Sequence, residues 1–331
     1  MRASLMKETL KAMKVINRPC VVTGSPGGGK TQTVQQVAKE LGCHFIQRHL
    51  PTMPVEDLGV PMIDKPQLYY KLPDWFPAKG STWDDGKGGI LCFDDRNQAG
   101  NDLQKAMANL QQERELHGVP MADNWMIIST GNRVKDRAGA SKTLAHLANR
   151  ETELPFDTHL ADWTDWAITS GVKQVVVMFV NFRPALLHDC NPSIDGADPT
   201  PRSWVEGVSN VIGVVPPEAE YECFKGAVGE GAAAEFVGFM RIYRELPNPD
   251  TVLLNPLKAD VPEGSATLYA LSGALAERVT QKTMANLCLY IARMPAEFSV
   301  LCMSTAVKRD AELANTEAFN KWSVDQQQVL F

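Results

Sequence analysis

Gly24-Ser25-Pro26-Gly27-Gly28-Gly29-Lys30-Thr31 is the stretch from which the fold is read. It fits the pattern G-x-x-x-x-G-K-[ST]. The glycines let the backbone curl so that successive N–H groups converge on one point, a concavity that holds phosphate oxygens. Lys30 brings a mobile positive charge to that point, and Thr31 brings a hydroxyl suited to Mg2+. The helix that follows adds the positive end of its dipole.

The flanks supply the context this loop needs. Before it, Pro19-Cys20-Val21-Val22-Thr23 reads as a short buried strand. After it, Val34, Val37, Ala38 and Leu41 fall at helical spacing over Thr31 to Leu41, and Gly42 stops the run. Strand, loop and helix together predict a parallel α/β core with the phosphate site at a strand's carboxyl end.

Further out, His44-Phe45-Ile46-Gln47-Arg48-His49-Leu50 predicts a second strand. Pro51 to Pro77 is an irregular, Pro-rich excursion in which Gln67 to Leu72 forms one arm of a hairpin. Segments this long inside such a domain are commonly functional. Ile90-Leu91-Cys92-Phe93-Asp94-Asp95 is an apolar run closed by two acids, the pattern of a buried strand delivering carboxylates to the sheet edge. Asp94 there is the candidate Mg2+ ligand beside Thr31. A helix follows over Asn101 to Glu115, then a buried strand, Trp125 to Asn132, whose last residue reaches the same edge. Leu144 to Arg150 reads as a short helix and Glu151 to Phe156 as the final strand.

From Asp157 onward no strand signal appears. Helices are expected over His159–Ser170, Val172–Leu187, Arg202–Ile212, Glu218–Ala227, Ala232–Leu246, Ser265–Val279, Lys282–Ala292 and Ala296–Arg309, with Pro-rich breaks at Pro247 to Pro262. The apolar stripes there, such as Phe236, Phe239 and Met240, are core positions. Three regions are expected: an α/β core at 1–156, an all-α region at 157–228 and a helical extension at 229–331. Met1 to Arg18 is amphipathic and lacks a signal peptide's apolar centre, so a helix lying on the core is expected.

Composition narrows the function classes. The 331 residues are 44% hydrophobic and 22% charged, with a net charge of −6. That balance gives no global attraction to nucleic acid or anionic membrane, and no apolar run approaches spanning length. Seven scattered cysteines without a C-x-x-C pair fit reduced thiols and a cytoplasmic location, and the six histidines form no cluster.

Taken in order, these residues resemble the AAA+ ATPases, within them the MoxR-like and dynein-related branch, over most of the first 215 residues. Gly24, Ser25, Pro26, Gly27, Gly28, Gly29, Lys30 and Thr31 match Walker A. Ile90 to Asp95 followed by Arg96-Asn97-Gln98-Ala99 looks like Walker B with its "DEINRA"-type continuation. Asn132 matches sensor 1, Leu147-Ala148-Asn149-Arg150 the arginine-finger segment, and Pro201-Arg202-Ser203-Trp204 the lid helix with the sensor 2 arginine. The insert from Asp57-Leu58-Gly59 through Trp75-Phe76-Pro77 resembles the one that branch carries before Walker B. The resemblance implies a P-loop AAA+ parallel-sheet core with an all-α lid, ATP and Mg2+ at their junction, and a homo-oligomeric ring, usually hexameric. It also implies a client protein, often one bearing a von Willebrand factor A domain, and suggests a phage source.

Two departures qualify it. Asp95 stands where the family has Glu, the water-polarising residue; one methylene less implies slow turnover, and restoring the longer acid, Asp95→Glu, is expected to raise it. Glu151 follows Arg150 where the family has Phe, which keeps Arg133 and Arg137 as alternative fingers. The reading is an ATP-hydrolysing motor with Asp95, Asn132, Arg150 and Arg202 as catalytic residues. Its alternatives are a nucleotide-fixed scaffold with negligible turnover and a motor acting on nucleic acid; net charge argues against the latter, and Tyr69-Tyr70-Lys71 keeps it open.

Overall fold

The computed structural model describes residues 1–64, 66–133, 150–190 and 196–325. The chain divides into two compact units, Met1–His159 with Cys190–Ser193, and Leu160–Asp189 with Ile194–Phe331.

In chain order the first unit comprises α1 (Ala3–Val15), β1 (Cys20–Gly24), α2 (Lys30–Glu40), β2 (His44–His49), β3 (Val60–Asp64), β4 (Gln67–Lys71), β5 (Gly89–Asp94), α3 (Asn101–Glu113), β6 (Glu115–Leu116), β7 (Val119–Pro120), β8 (Trp125–Asn132) and β9 (Thr152–Pro155). Five strands form one sheet in the order β2-β5-β8-β1-β9, all neighbours parallel. This is the α/β class read from the loop and its flanks. Strand β8 lies between β1 and β5, so the loop and the two acids leave the sheet on either side of Asn132.

Strand alternation explains how one apolar run serves two layers. In β5, Ile90 and Cys92 pack with Met6, Leu10, Val34 and Val37 of α1 and α2. Leu91 and Phe93 pack with Leu103, Met107 and Leu110 of α3. Each full burial of such a side chain contributes about 1.5–3 kcal/mol. Burial also pushes the Cys20 thiol up to about 12, so it stays protonated at neutral pH. Among the described residues no cysteine is in a disulfide. Helix α1 lies on α2, with Lys7 and Lys11 each 2.8 Å from a Glu40 oxygen.

The insert forms an antiparallel hairpin, β3 with β4, in register Val60↔Lys71 to Asp64↔Gln67. The small β6–β7 hairpin was not foreseen. Its His117 stacks on Tyr70, ring centroids 3.9 Å apart.

The second unit is helical: α4 (Leu160–Thr169), α5 (Gln174–Phe182), α6 (Pro217–Val228), α7 (Glu230–Arg244), α8 (Pro249–Leu254), α9 (Ser265–Arg278), α10 (Met284–Ile291), α11 (Ala296–Arg309) and α12 (Glu317–Asp325). Several expectations need correction. Helices on both sides of position 228 share one core: Phe179 and Trp204 pack with Phe224, Val228, Phe236 and Phe239. Regions 157–228 and 229–331 are therefore parts of one compact unit. The expected break at 247–262 contains α8, because Pro249 occupies its first position, Asn248 caps the Asp250 N–H and Val252 and Leu253 are buried. The helix expected from Arg202 is one α-turn, Pro201–Ser203, passing into a π-helix, Trp204–Ser209. Its start is fixed by a capping box between Thr200 and Ser203. Helix α12, around the buried Trp322, had no counterpart in the sequence reading. Residues 144–149 of the helix expected over 144–150, and Arg137, lie outside the described residues.

Candidate active site

Strand β1 delivers the loop, and close packing dictates its first residue. A Cβ on Gly24 would lie 2.7 Å from the Phe156 carbonyl oxygen. The loop's last residue before the helix, Gly29, has φ +96°, a left-handed conformation that suits glycine. Helix α2 then begins at Lys30, so the loop's N–H groups and the helix N-terminus face one place.

Lys30 is 7% exposed. Its ammonium donates to Gly24 O (3.1 Å), Ser25 O (3.0 Å) and Asn132 Oδ1 (2.8 Å). The Thr31 hydroxyl donates to Asp94 Oδ1 at 2.7 Å. Asp94 also accepts from Thr130 Oγ1 and, at 2.9 Å, from Gln47 Nε2. Asp95 follows with φ +51°, a turn that separates the two acids. Its N–H donates to Thr130 Oγ1 at 3.1 Å. Its carboxylate accepts from Asn132 Nδ2 at 3.2 Å and lies 3.3 Å from His49 Nε2. Asn132 is itself held by Asn97: Asn97 Nδ2 donates to Asn132 O (2.6 Å), and Asn132 N donates to Asn97 Oδ1 (3.1 Å).

The loop residues, Asp94, Asp95 and Asn132 are thus brought together at one sheet edge. Arg150 is not with them. Thr152 is in register with Cys20 at the start of β1, whereas the loop leaves after Gly24. That places the Arg150 backbone more than about 13 Å back along the strand direction. Arg202 belongs to the second unit, exposed in its short α-turn. Arg133, a reserve finger, reaches the loop of its own chain: its guanidinium donates to Ser25 Oγ and pairs with Asp157 at 3.4 Å.

Gln47, His49 and Thr130 were not singled out from the sequence, and Asn97 was quoted only within the segment after Walker B. A signal existed for two of them. Gln47 and His49 are two apart on a strand, so they share a face, and β2 pairs with β5 in register His49↔Asp94.

The donor set fits the groups implied for it. A buried ammonium ringed by acceptors at a glycine loop suits a polyphosphate, and one hydroxyl with one carboxylate suits Mg2+, which takes few protein ligands. Among the described residues there is no cluster of three or more His, Cys, Asp or Glu able to hold a metal unaided. No described helix is long and apolar enough to cross a membrane.

No family model matches the chain, and no curated protein matches it. Solved structures do. NtrX from Brucella abortus in complex with ATP is similar with a TM-score of 0.41 at 11% identity, over 99% of this chain and 68% of that one. The same protein in complex with ADP gives 0.37 at 11% identity, over 99% and 68%. A proposed ATPase from Cytophaga hutchinsonii gives 0.35 at 14% identity, over 92% and 80%. Likeness at this level adds nothing to the site, which is read from its own residues.

The acid at 95 revises one expectation. Both Asp95 oxygens are engaged at the shorter length, by Asn132 and His49. A Glu there must give up one partner or displace it. Asp95→Glu is therefore expected to turn over more slowly than the parent, not faster, measured as steady-state phosphate release. A faster Asp95→Glu enzyme would restore the view that reach alone limits the parent.

Proposed function

We propose that the chain is an ATP-hydrolysing AAA+ motor of the MoxR-like type, which assembles as a ring and remodels or activates a partner protein. One observation carries the reading: Lys30, Asn132 and Asp95 form a chain of contacts at the loop, with Thr31 and Asp94 beside it. Phosphoryl transfer asks the protein mainly for positioning and for positive charge at the phosphates. In this reading Lys30 and the loop amides bind the phosphates. Thr31 and Asp94 would hold Mg2+, which when bound neutralises charge on the phosphate oxygens. Asp95 takes the proton of the attacking water, and Asn132 orients that water. Arg202 is assigned the sensing of the terminal phosphate by resemblance alone. The hexameric ring, a client or von Willebrand factor A-domain partner, a cytoplasmic location and a phage source belong to the proposal by resemblance.

Phosphate release by purified protein, with mass measured with and without ATP, tests it. Asp95→Asn should keep ATP binding and stop release, because the amide cannot take the proton. Undiminished release in that variant would remove Asp95 from the chemistry.

A second reading, a scaffold that binds ATP without turning it over, is favoured by the same engagement of both Asp95 oxygens. Assembly with ATP but no phosphate release would support it.

Arg150 is proposed as the finger offered to a neighbouring subunit, since it lies two residues before β9, whose start is level with Cys20 and not with the loop. A finger supplied in trans is worth about 10³–10⁵ in rate. Arg150→Ala should bind ATP normally and hydrolyse it poorly. Mixed with inactive Lys30→Ala, it should recover activity, because mixed rings juxtapose an intact Arg150 and an intact loop. Normal hydrolysis by Arg150→Ala alone would eliminate the role.

A further inference from the structure

Asn132 ends β8, and the next side chain, Arg133, does not follow it to Lys30. The sheet order β8-β1-β9 explains where it goes. Arg133 starts at the end of β8 and pairs with Asp157, two residues beyond β9. Between them lies the end of β1, from which the phosphate loop springs. Two inter-strand steps are about 10 Å, a span the long arginine side chain and the aspartate bridge together. On the way, its guanidinium donates to the Ser25 hydroxyl. The Ser25 carbonyl meanwhile accepts from Lys30 at 3.0 Å. Two cations therefore grip the loop's second residue, Lys30 from the helix side and Arg133 from the strand side.

Resting on the nucleotide reading above, we infer that Arg133 is a specificity-determining residue of its own chain's site, which recognises the terminal phosphate of a nucleoside triphosphate by exchanging Asp157 for it. The guanidinium fork matches phosphate as it matches carboxylate. Arg133 is 31% exposed and Asp157 64%, so the existing pair is partly solvated and screened. Asp157 is the competing anion, and at that exposure it passes to water when Arg133 leaves. A diphosphate lacks the group that draws Arg133 across. The residue then acts in cis, and the trans finger is not Arg133.

The test is binding of AMP-PNP and of ADP, each by calorimetry, to the full-length parent, Arg133→Ala, Asp157→Asn and the double variant. Arg133→Ala should weaken AMP-PNP about tenfold or more and leave ADP within about twofold. Asp157→Asn should tighten AMP-PNP several-fold by removing the competitor, and the double variant should lose that gain. Equal losses for both nucleotides in Arg133→Ala would reduce the residue to a brace for the loop and overturn the inference, as would no loss at all. Recovery of hydrolysis on mixing Arg133→Ala with Lys30→Ala would overturn it too, by showing action in trans. ADP binding by the parent separates the two levels. If the parent binds ADP and only the discrimination is missing, the nucleotide site stands and this inference falls; if it binds neither nucleotide, both fall.

Discussion

Lys30→Ala is expected to abolish phosphate release and to weaken ATP binding by about a hundredfold or more, roughly 2.7 kcal/mol. The size follows from what Lys30 does in the fold. Its ammonium is almost fully withdrawn from water and donates to oxygen acceptors on Gly24, Ser25 and Asn132. Hydrogen bonds to charged groups are worth about 1.5–3 kcal/mol each. Triphosphate oxygens present more than one such acceptor, and the loop amides carry no net charge to replace the ammonium. Truncation also frees the Asn132 amide that contacts Asp95, so binding and chemistry should fail together. Calorimetric titration and phosphate release measure the two, with thermal melting to confirm the fold. Undiminished hydrolysis in Lys30→Ala would remove the basis of the nucleotide reading.

How much of this was legible in the sequence depends on whether a contact is local. Strands β1, β5 and β8 are buried on both faces, so each reads as a continuous apolar run with a polar end. The loop and α2 are set by glycine and by helical spacing within a few residues. Those features were readable, and they include most of the site. Thr130 and His49 were not, because their roles depend on strand register. The Thr130 hydroxyl takes the Asp95 N–H and bonds Asp94 only once β8 lies beside β5, and His49 faces Asp95 only because β2 ends level with Asp94. Proline hid α8: a residue that breaks a helix inside it begins one at its first position, and residue counts alone do not separate the two cases. The common core across position 228 is a tertiary property, carried by rings such as Phe179 and Phe236 at 5.2 Å. No periodicity announces which helices will share it.

Arg96 and Glu151 show the same limit and carry the largest stability effect expected. The two are 55 positions apart, and each side chain is 2% exposed. They form a buried ion pair, and Gln111 Nε2 also donates to Glu151 Oε2, at 3.2 Å. Breaking such a pair from one side strands a charge without water and costs about 3–5 kcal/mol, whereas replacing both partners by apolar groups is about neutral or stabilising. Glu151→Ala should therefore lower the urea midpoint of the first unit by an amount equivalent to about 3–5 kcal/mol. Arg96→Ile combined with Glu151→Phe should return it to within about 1 kcal/mol of the parent. Function should follow the backbone. Arg96 directly follows Asp95, and Glu151 directly follows Arg150, so the pair fixes the base of both. If that is its role, the apolar double variant keeps ATP hydrolysis while Glu151→Ala loses it even where still folded. A Glu151→Ala protein with an unchanged midpoint would mean that Arg96 finds water or another partner, and the pair would lose its place in the core.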